Sequence, residues 1–305
     1  MLRIHVNDPL DKQATEKLKS IPNVEVTSQH YEKEELLKII PEVDVLIVRS
    51  ATKVTADIIE AGTRLKIIGR AGTGLDNIDV KAAEAKGIKV LNTPGANSIS
   101  VAELTIGLMI ACSRHIARGT IDLKNGKWTK KELEGHELYG RTVGIIGFGN
   151  IGREVAKRLL AFDMRVLAYD PFVKETDMPV QLVDLETIYR ESDYITIHVP
   201  LTPETKNMIN KETFAKMKDG VIIINAARGG IINEEDLYEA LVSGKVYAAG
   251  LDVFEVEPPT DELRQKLLAL PNVVATPHVG ASTFEAQERV GMLLVERLIK
   301  EIEAL

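Results

Sequence analysis

From its second residue the chain alternates short Val/Ile-rich runs with amphipathic stretches, and it does so in two series. LRIHV, VEVTS, VDVLIVRS, LKIIGRAG and IKVLN have the β-branched content and the Pro, Asn, Gly or Asp borders of strands. Between them DKQATEKLKSI, EELLKII, TADIIEAG and DVKAAEAKG carry helical spacing, with Gly62 and Gly87 where a helix C-cap falls. The second series begins at Arg141 with TVGIIGFG, RVLAYD, DYITIHVP, VIIINAA, VYAAGLDVF and NVVATPH. Helices such as IGREVAKRLLAF and NEEDLYEALVSG lie between these strands. Strand–helix alternation implies parallel pairing, because a strand that returns in the same direction needs a crossover. The fold class is therefore α/β with parallel sheets, and 305 residues suffice for two domains.

Two longer helical patterns stand apart. Residues 100–123 open with Ser100 and Glu103, and residues 282–304 with Ser282 and Glu285, both in capping-box spacing. The simplest arrangement has both helices crossing between domains, the second returning to the first domain. The first is apolar on more than one face (Ile106, Leu108, Met109, Ile110, Ile116), as a buried helix is.

Composition excludes several classes. With 45% hydrophobic and 27% charged residues the chain is globular, neither disordered nor a rod. No apolar run approaches the roughly 18 residues of a membrane span, and the N-terminus lacks a signal-peptide pattern. No membrane partner is expected. A net charge of −7 argues against nucleic acid. The single cysteine, Cys112, rules out an intrachain disulfide and a cysteine zinc site, and no histidine spacing suggests a metal. A reducing, cytoplasmic setting is expected.

Gly147-Phe148-Gly149-Asn150-Ile151-Gly152 is a G-x-G-x-x-G between the strand TVGII and the helix IGREVAKRLLAF. The next strand, RVLAY, ends in Asp170. Strand, glycine turn, helix and acid together make a dinucleotide-binding context. Gly147 permits the turn, Gly149 lets backbone approach a pyrophosphate, and Gly152 lets the helix pack on the strand. The helix N-terminus supplies N–H donors, and Asp170 would accept both adenine-ribose hydroxyls. No Arg or Lys lies within Pro171-Phe172-Val173, which favours NAD over NADP.

In open α/β sheets ligands bind outside the carboxyl ends of strands. There the sequence places Arg228 after VIIINAA, Asp252 and Glu257 after VYAAGL, and His278 after NVVATP. Together they offer a general base, a carboxylate to orient and charge it, and a cation for a substrate carboxylate. His5 and His30 read as structural, His115 and His136 as helix and loop residues. His198 ends a strand whose backbone neighbourhood would lie near the nucleotide.

In this order, G-F-G-N-I-G with Asp170, N-A-A-R-G-G, L-D-V-F-E-V-E-P-P and T-P-H-V-G-A-S resemble the D-isomer-specific 2-hydroxyacid dehydrogenases. The motifs V-R-S-A-T-K-V at 48–54, G-R-A-G-T-G-L-D-N at 69–77 and N-T-P-G-A-N-S at 92–98 resemble the members that oxidise D-3-phosphoglycerate, in their short form without a C-terminal regulatory domain. The resemblance implies a flavodoxin-like substrate domain (1–98 plus 284–305) and an inserted Rossmann cofactor domain (99–283), with hinges near 97–100 and 280–284. His278 matches the acid/base histidine, Glu257 its carboxylate partner and Arg228 the carboxylate anchor. Thr73, Asn150, Ile151, Val199, Ala226, Asp252 and Gly280 match cofactor contacts, with Asp252 near the nicotinamide carboxamide. Gly74 and Asn97 match positions near the substrate carboxylate, and Arg49 and Arg70 positions near the phosphate end.

The implied activity is NAD-dependent oxidation of D-3-phosphoglycerate to 3-phosphohydroxypyruvate, the entry to phosphorylated serine biosynthesis. Two alternatives stand beside it: a glyoxylate/hydroxypyruvate or D-lactate type dehydrogenase, and an NAD-sensing corepressor-like binding protein. A formate-dehydrogenase-like member is disfavoured by Glu257-Pro258. The resemblance also implies a homodimer joined through the cofactor domains, with the segment around Trp128 reaching the partner.

Overall fold

The structure, a computed structural model, describes residues 1–304. The chain divides into two compact units, Met1–Asn97 with Ala281 onward, and Ser98–Gly280.

The first unit runs β1 (Leu2–Val6), α1 (Lys12–Lys19), β2 (Val24–Ser28), α2 (Lys33–Ile39), β3 (Val45–Val48), α3 (Ala56–Ala61), β4 (Ile67–Arg70), α4 (Val80–Ala85) and β5 (Lys89–Leu91). Its five strands are all parallel in the order β2-β1-β3-β4-β5. That is the flavodoxin-like order, with its switch between β1 and β3. β3 (VLIV) is buried at every position, as a central parallel strand covered on both faces must be. Asp11 caps α1 by accepting from the Ala14 amide at 3.0 Å.

The second unit holds α5 (Ser98–Arg114), α6 (Ile116–Lys124), β6 (Thr142–Ile146), α7 (Asn150–Leu160), β7 (Arg165–Tyr169), β8 (Gln181–Leu182), α8 (Leu185–Glu191), β9 (Tyr194–Ile197), α9 (Lys211–Lys216), β10 (Val221–Asn225), α10 (Glu234–Val242), β11 (Val246–Leu251), α11 (Glu262–Leu268) and β12 (Val273–Ala275). Its sheet is also parallel, in the order β12-β11-β10-β9-β6-β7-β8. Strand order reverses between β6 and β9, so a crevice opens at the carboxyl end of β6. The final helix, α12 (Phe284–Glu303), belongs to the first unit and packs on α1 and β4.

Four details differ from the sequence expectations. The helix expected over 100–123 is two helices. His115 takes a left-handed conformation (φ 53°), and α6 leaves α5 at 65°. The His115 ring is held there by the Tyr247 hydroxyl at 2.8 Å and the Glu134 carbonyl at 3.2 Å. α5 is buried against α7, β10 and β11, whereas α6 buries no residue at all. The Ser100–Glu103 capping box does not form, because the helix begins at Ser98 and the Ser100 hydroxyl donates to the Gly280 carbonyl at 2.6 Å. Ser282 does not cap the last helix. Thr283 does, accepting from the Ala286 amide at 3.1 Å. The two-residue strand β8 has no counterpart in the sequence reading, since so short an edge carries no periodicity. Among the described residues no single helix is long and apolar enough to cross a membrane.

Candidate active site

The glycine turn is built from three steric demands. Gly147 sits at φ 96°, and a Cβ there would lie 2.3 Å from the His198 carbonyl oxygen. A Cβ on Gly152 would lie 2.2 Å from the Gly147 carbonyl oxygen, so α7 packs against the turn only as glycine. Gly149, the N-cap of α7, faces open space, where a phosphate group can approach the backbone. The first N–H groups of α7, at Asn150 and Ile151, have no acceptor within the helix. Asp170 closes the other end. Its Oδ2 accepts from the Phe148 amide at 2.9 Å and its Oδ1 from the Phe172 amide at 2.8 Å. A carboxylate offers about four acceptor positions, so two remain for ribose hydroxyls. Open Gly149, the donor-rich helix start and the anchored acid fit an NAD-type dinucleotide. Val199 follows β9, and Ala226, which is buried, follows β10 on the same edge.

Arg228, Asp252 and His278 stand after three adjacent strands, β10, β11 and β12. Asn225 organises the first of these loops. Its side chain accepts from the Ala227 amide at 3.0 Å and donates to the Arg228 carbonyl at 2.9 Å. Gly229 packs directly on the next loop, for a Cβ there would lie 1.9 Å from the Phe254 carbonyl oxygen.

Asp252 is 1% exposed. Its Oδ1 accepts from the Thr276 hydroxyl at 2.6 Å and the Val279 amide at 2.8 Å, and its Oδ2 from the Gly280 amide at 2.8 Å. The His278 amide donates to the Asp252 carbonyl at 2.9 Å. The His278 loop is thus wrapped around this one buried carboxylate. Such fastening holds His278 in a left-handed conformation (φ 52°), which costs a non-glycine residue of order 1–3 kcal/mol.

Glu257 meets His278 across the loops, with Oε2 2.7 Å from Nδ1. Its Oε1 accepts from the Phe254 amide at 3.0 Å. The hydrogen bond to Glu257 raises the imidazole above its ordinary value, against burial and the charge of Arg228. Burial alone would raise the Glu257 carboxyl, but His278 and the Phe254 amide outweigh it and hold it low. The two shifts describe one polarised pair. Arg228 bears on both members, and its Nη1 donates to the Ala227 carbonyl at 2.7 Å.

The other histidines lie elsewhere. Burial pushes His198 down to about 3, and its Nε2 pairs with the Thr196 hydroxyl at 2.9 Å. His5 is buried between Thr27 and Asn7. Among the described residues no group of three or more His, Cys, Asp and Glu side chains could hold a metal ion.

In the first unit Arg49 ends the β3 segment and Arg70 ends β4. Buried Asp8 shapes the Arg49 loop, taking the Arg49 amide at 2.7 Å and the Thr52 amide at 3.1 Å on Oδ2. Asn77 braces the same loop by donating to the Arg49 and Thr52 carbonyls, each at 2.6 Å. The Arg70 guanidinium lies over Gly72, where a Cβ would clash with it. Thr73 donates to the Asn97 side chain at 3.0 Å, and Asn92 donates to the Thr73 carbonyl at 2.7 Å, enclosing the stretch that includes Gly74. Sequence reasoning missed Asn225, Thr276 and Asp8. Each is a small polar residue at or just past the end of a strand, the one signal that could have found them.

Comparison with known proteins gives the family. Residues 106–280 match the D-isomer specific 2-hydroxyacid dehydrogenase NAD-binding domain. The chain is 70% identical over 300 residues to hydroxypyruvate reductase of Thermotoga maritima, covering 98% of each chain. It is 53% identical to D-3-phosphoglycerate dehydrogenase of Methanocaldococcus jannaschii, covering 98% of this chain but 57% of that one. The solved TT0316 protein of Thermus thermophilus superposes with a TM-score of 0.90 at 35% identity, covering 99% and 97% of the two chains. The chain belongs to the D-isomer specific 2-hydroxyacid dehydrogenases, and its cofactor is NAD.

Proposed function

We propose that the protein is an NAD-dependent hydroxypyruvate reductase whose acid–base residue is His278. The observation that carries the chemistry is the 2.7 Å contact between His278 and Glu257 beside Arg228. What supports the substrate is 70% identity to a hydroxypyruvate reductase along 98% of both chains. The Gly147–Gly152 turn and Asp170 would hold the nicotinamide cofactor, which would supply or accept the hydride. Arg228 holds the substrate carboxylate, a task that suits a planar guanidinium better than an ammonium. Glu257 occupies Nδ1 of His278, which leaves Nε2 for the substrate oxygen. In reduction the imidazolium gives its Nε2 proton to the carbonyl oxygen. In the reverse direction neutral Nε2 takes the hydroxyl proton. Asp252 acts on the loop, keeping His278 in place, in addition to any contact with the carboxamide.

A second reading, oxidation of D-3-phosphoglycerate in serine biosynthesis, is favoured by Arg49 and Arg70 at strand ends and by the 53% identity to such an enzyme. In both readings Arg49, Arg70, Gly74 and Asn97 contact substrate, and Thr73 and Gly280 line the cofactor. We also propose a homodimer, because Ile121, Leu123 and Trp128 stand 59%, 61% and 81% exposed on one short stretch. Substrate identity is tested by comparing kcat/KM for hydroxypyruvate and 3-phosphohydroxypyruvate with NADH. A preference for the phosphorylated acid transfers the assignment to the second reading.

A further inference from the structure

Resting on the acid–base reading of His278 and Glu257, we propose that Arg264 is a positioning residue for the reaction. From beneath the Glu257 loop it fixes Glu257 against His278, acting through Glu234 and the main chain at Phe254 and Glu255.

Arg264 lies on α11 and is 7% exposed. Its guanidinium faces three carboxylates: Glu234 at 2.7 Å from Nε, Glu255 at 3.2 Å from Nη2 and Asp261 at 2.9 Å from Nη1. Glu234 begins α10 and is itself buried. Its Oε1 accepts from the Glu255 amide at 2.8 Å. One residue back along the chain, the Phe254 amide donates to Glu257 Oε1, and Glu257 Oε2 holds His278 Nδ1. On its other side the Phe254 carbonyl abuts Gly229, next to Arg228. The main chain at 254–255 is therefore pinned between α10 and the Arg228 turn. The path therefore runs from Arg264 to Glu234, from Glu234 to the Glu255 amide, and along one residue of main chain to the Phe254 amide that holds Glu257.

The residue types fit that work. A planar guanidinium presents its N–H donors in a fixed fork and so holds three carboxylates in set directions, whereas an ammonium on a flexible stem does not fix those directions. A buried ion cluster is poor evidence for stability, since apolar packing of the same volume serves as well. It does fix geometry, and the geometry here is that of the loop carrying Glu257.

The test is the pH dependence of hydroxypyruvate reduction with NADH. Arg264→Lys, Glu234→Gln and Glu257→Gln are compared with the unaltered enzyme, and circular dichroism gives the folded fraction. Arg264→Lys and Glu234→Gln are expected to lose kcat by roughly 10- to 100-fold, the scale of a misplaced catalytic group. KM and NADH affinity stay near their starting values. The alkaline fall in kcat moves to lower pH, in the same direction as in Glu257→Gln. Folded variants whose pH profile does not move, while that of Glu257→Gln does, overturn the role of Arg264. If Glu257→Gln itself leaves the profile in place, the acid–base reading fails first and takes the proposal with it. Should Arg264→Lys and Glu234→Gln not fold, Glu255→Gln decides, because it removes one of the three carboxylates on the guanidinium at a side chain that is 45% exposed. A smaller shift in the same direction is expected there, and none overturns the proposal.

Discussion

At the scale of single residues the site is a histidine whose proton affinity is raised above all by one neighbour, Glu257, against burial and Arg228. Replacing His278 with Asn removes proton transfer but keeps a polar side chain of similar reach. Turnover should fall by about 10²–10⁴-fold, the usual worth of a positioned acid or base. NADH binding, measured by fluorescence titration, should stay unchanged; a variant with near-normal turnover removes His278 from the reaction. The pH dependence follows from the direction of the shift. In the proposed mechanism reduction needs the imidazolium, and Glu257 raises its pKa, so reduction should persist to higher pH than an isolated histidine allows. Glu257→Gln should bring the alkaline fall in kcat to lower pH. Stability carries the same sign. The raised pKa stabilises the folded protein below the unfolded value of about 6.5, and that contribution disappears as pH rises through the folded value. At the proposed ribose site the Asp170 carboxylate would repel a 2′-phosphate. Asp170→Ala should lose NADH affinity and narrow the preference for NADH over NADPH; an unchanged cofactor ratio removes Asp170 from the ribose site.

At the scale of elements the glycine turn is the sharpest case. Gly152→Ala forces a Cβ to 2.2 Å from the Gly147 carbonyl. Separating α7 from β6 to relieve it should cost about 1–3 kcal/mol. A lower melting temperature together with weaker NADH binding is the expected outcome, and a variant with neither shows that the turn has slack. Elements were legible in the sequence wherever local chemistry dictates them. The long strands were legible because β-branched runs bordered by turn residues fit little else, and the glycine turn because its spacing is steric. What escaped was set by distant partners. The bend at His115 depends on Tyr247, far along the chain, and nothing within SRHIAR encodes it. Ser100 forms no capping box because its hydroxyl finds the Gly280 carbonyl instead. Ser282 and Thr283 are both good caps, and only the backbone conformation separates them.

At the scale of the whole molecule, each unit places its candidate residues at the carboxyl ends of a parallel sheet. That placement was readable from strand–helix alternation, which implies parallel sheets, and the charged residues at those ends from their position. The purpose of Asp252 was not, because a buried carboxylate that fastens a loop looks the same in sequence as one that faces a ligand. Assembly belongs to this scale too. Trp128→Ala with Leu123→Ser should shift a dimer toward monomer in sedimentation velocity, and an unaltered protein that already sediments as a monomer removes the dimer. The most direct measurement is steady-state reduction with NADH of hydroxypyruvate, glyoxylate and 3-phosphohydroxypyruvate, side by side with Arg49→Ala. Hydroxypyruvate should have the highest kcat/KM, with Arg49→Ala changing all three acids alike. A preference for 3-phosphohydroxypyruvate that Arg49→Ala selectively abolishes would contradict it and assign the protein to phosphoglycerate oxidation.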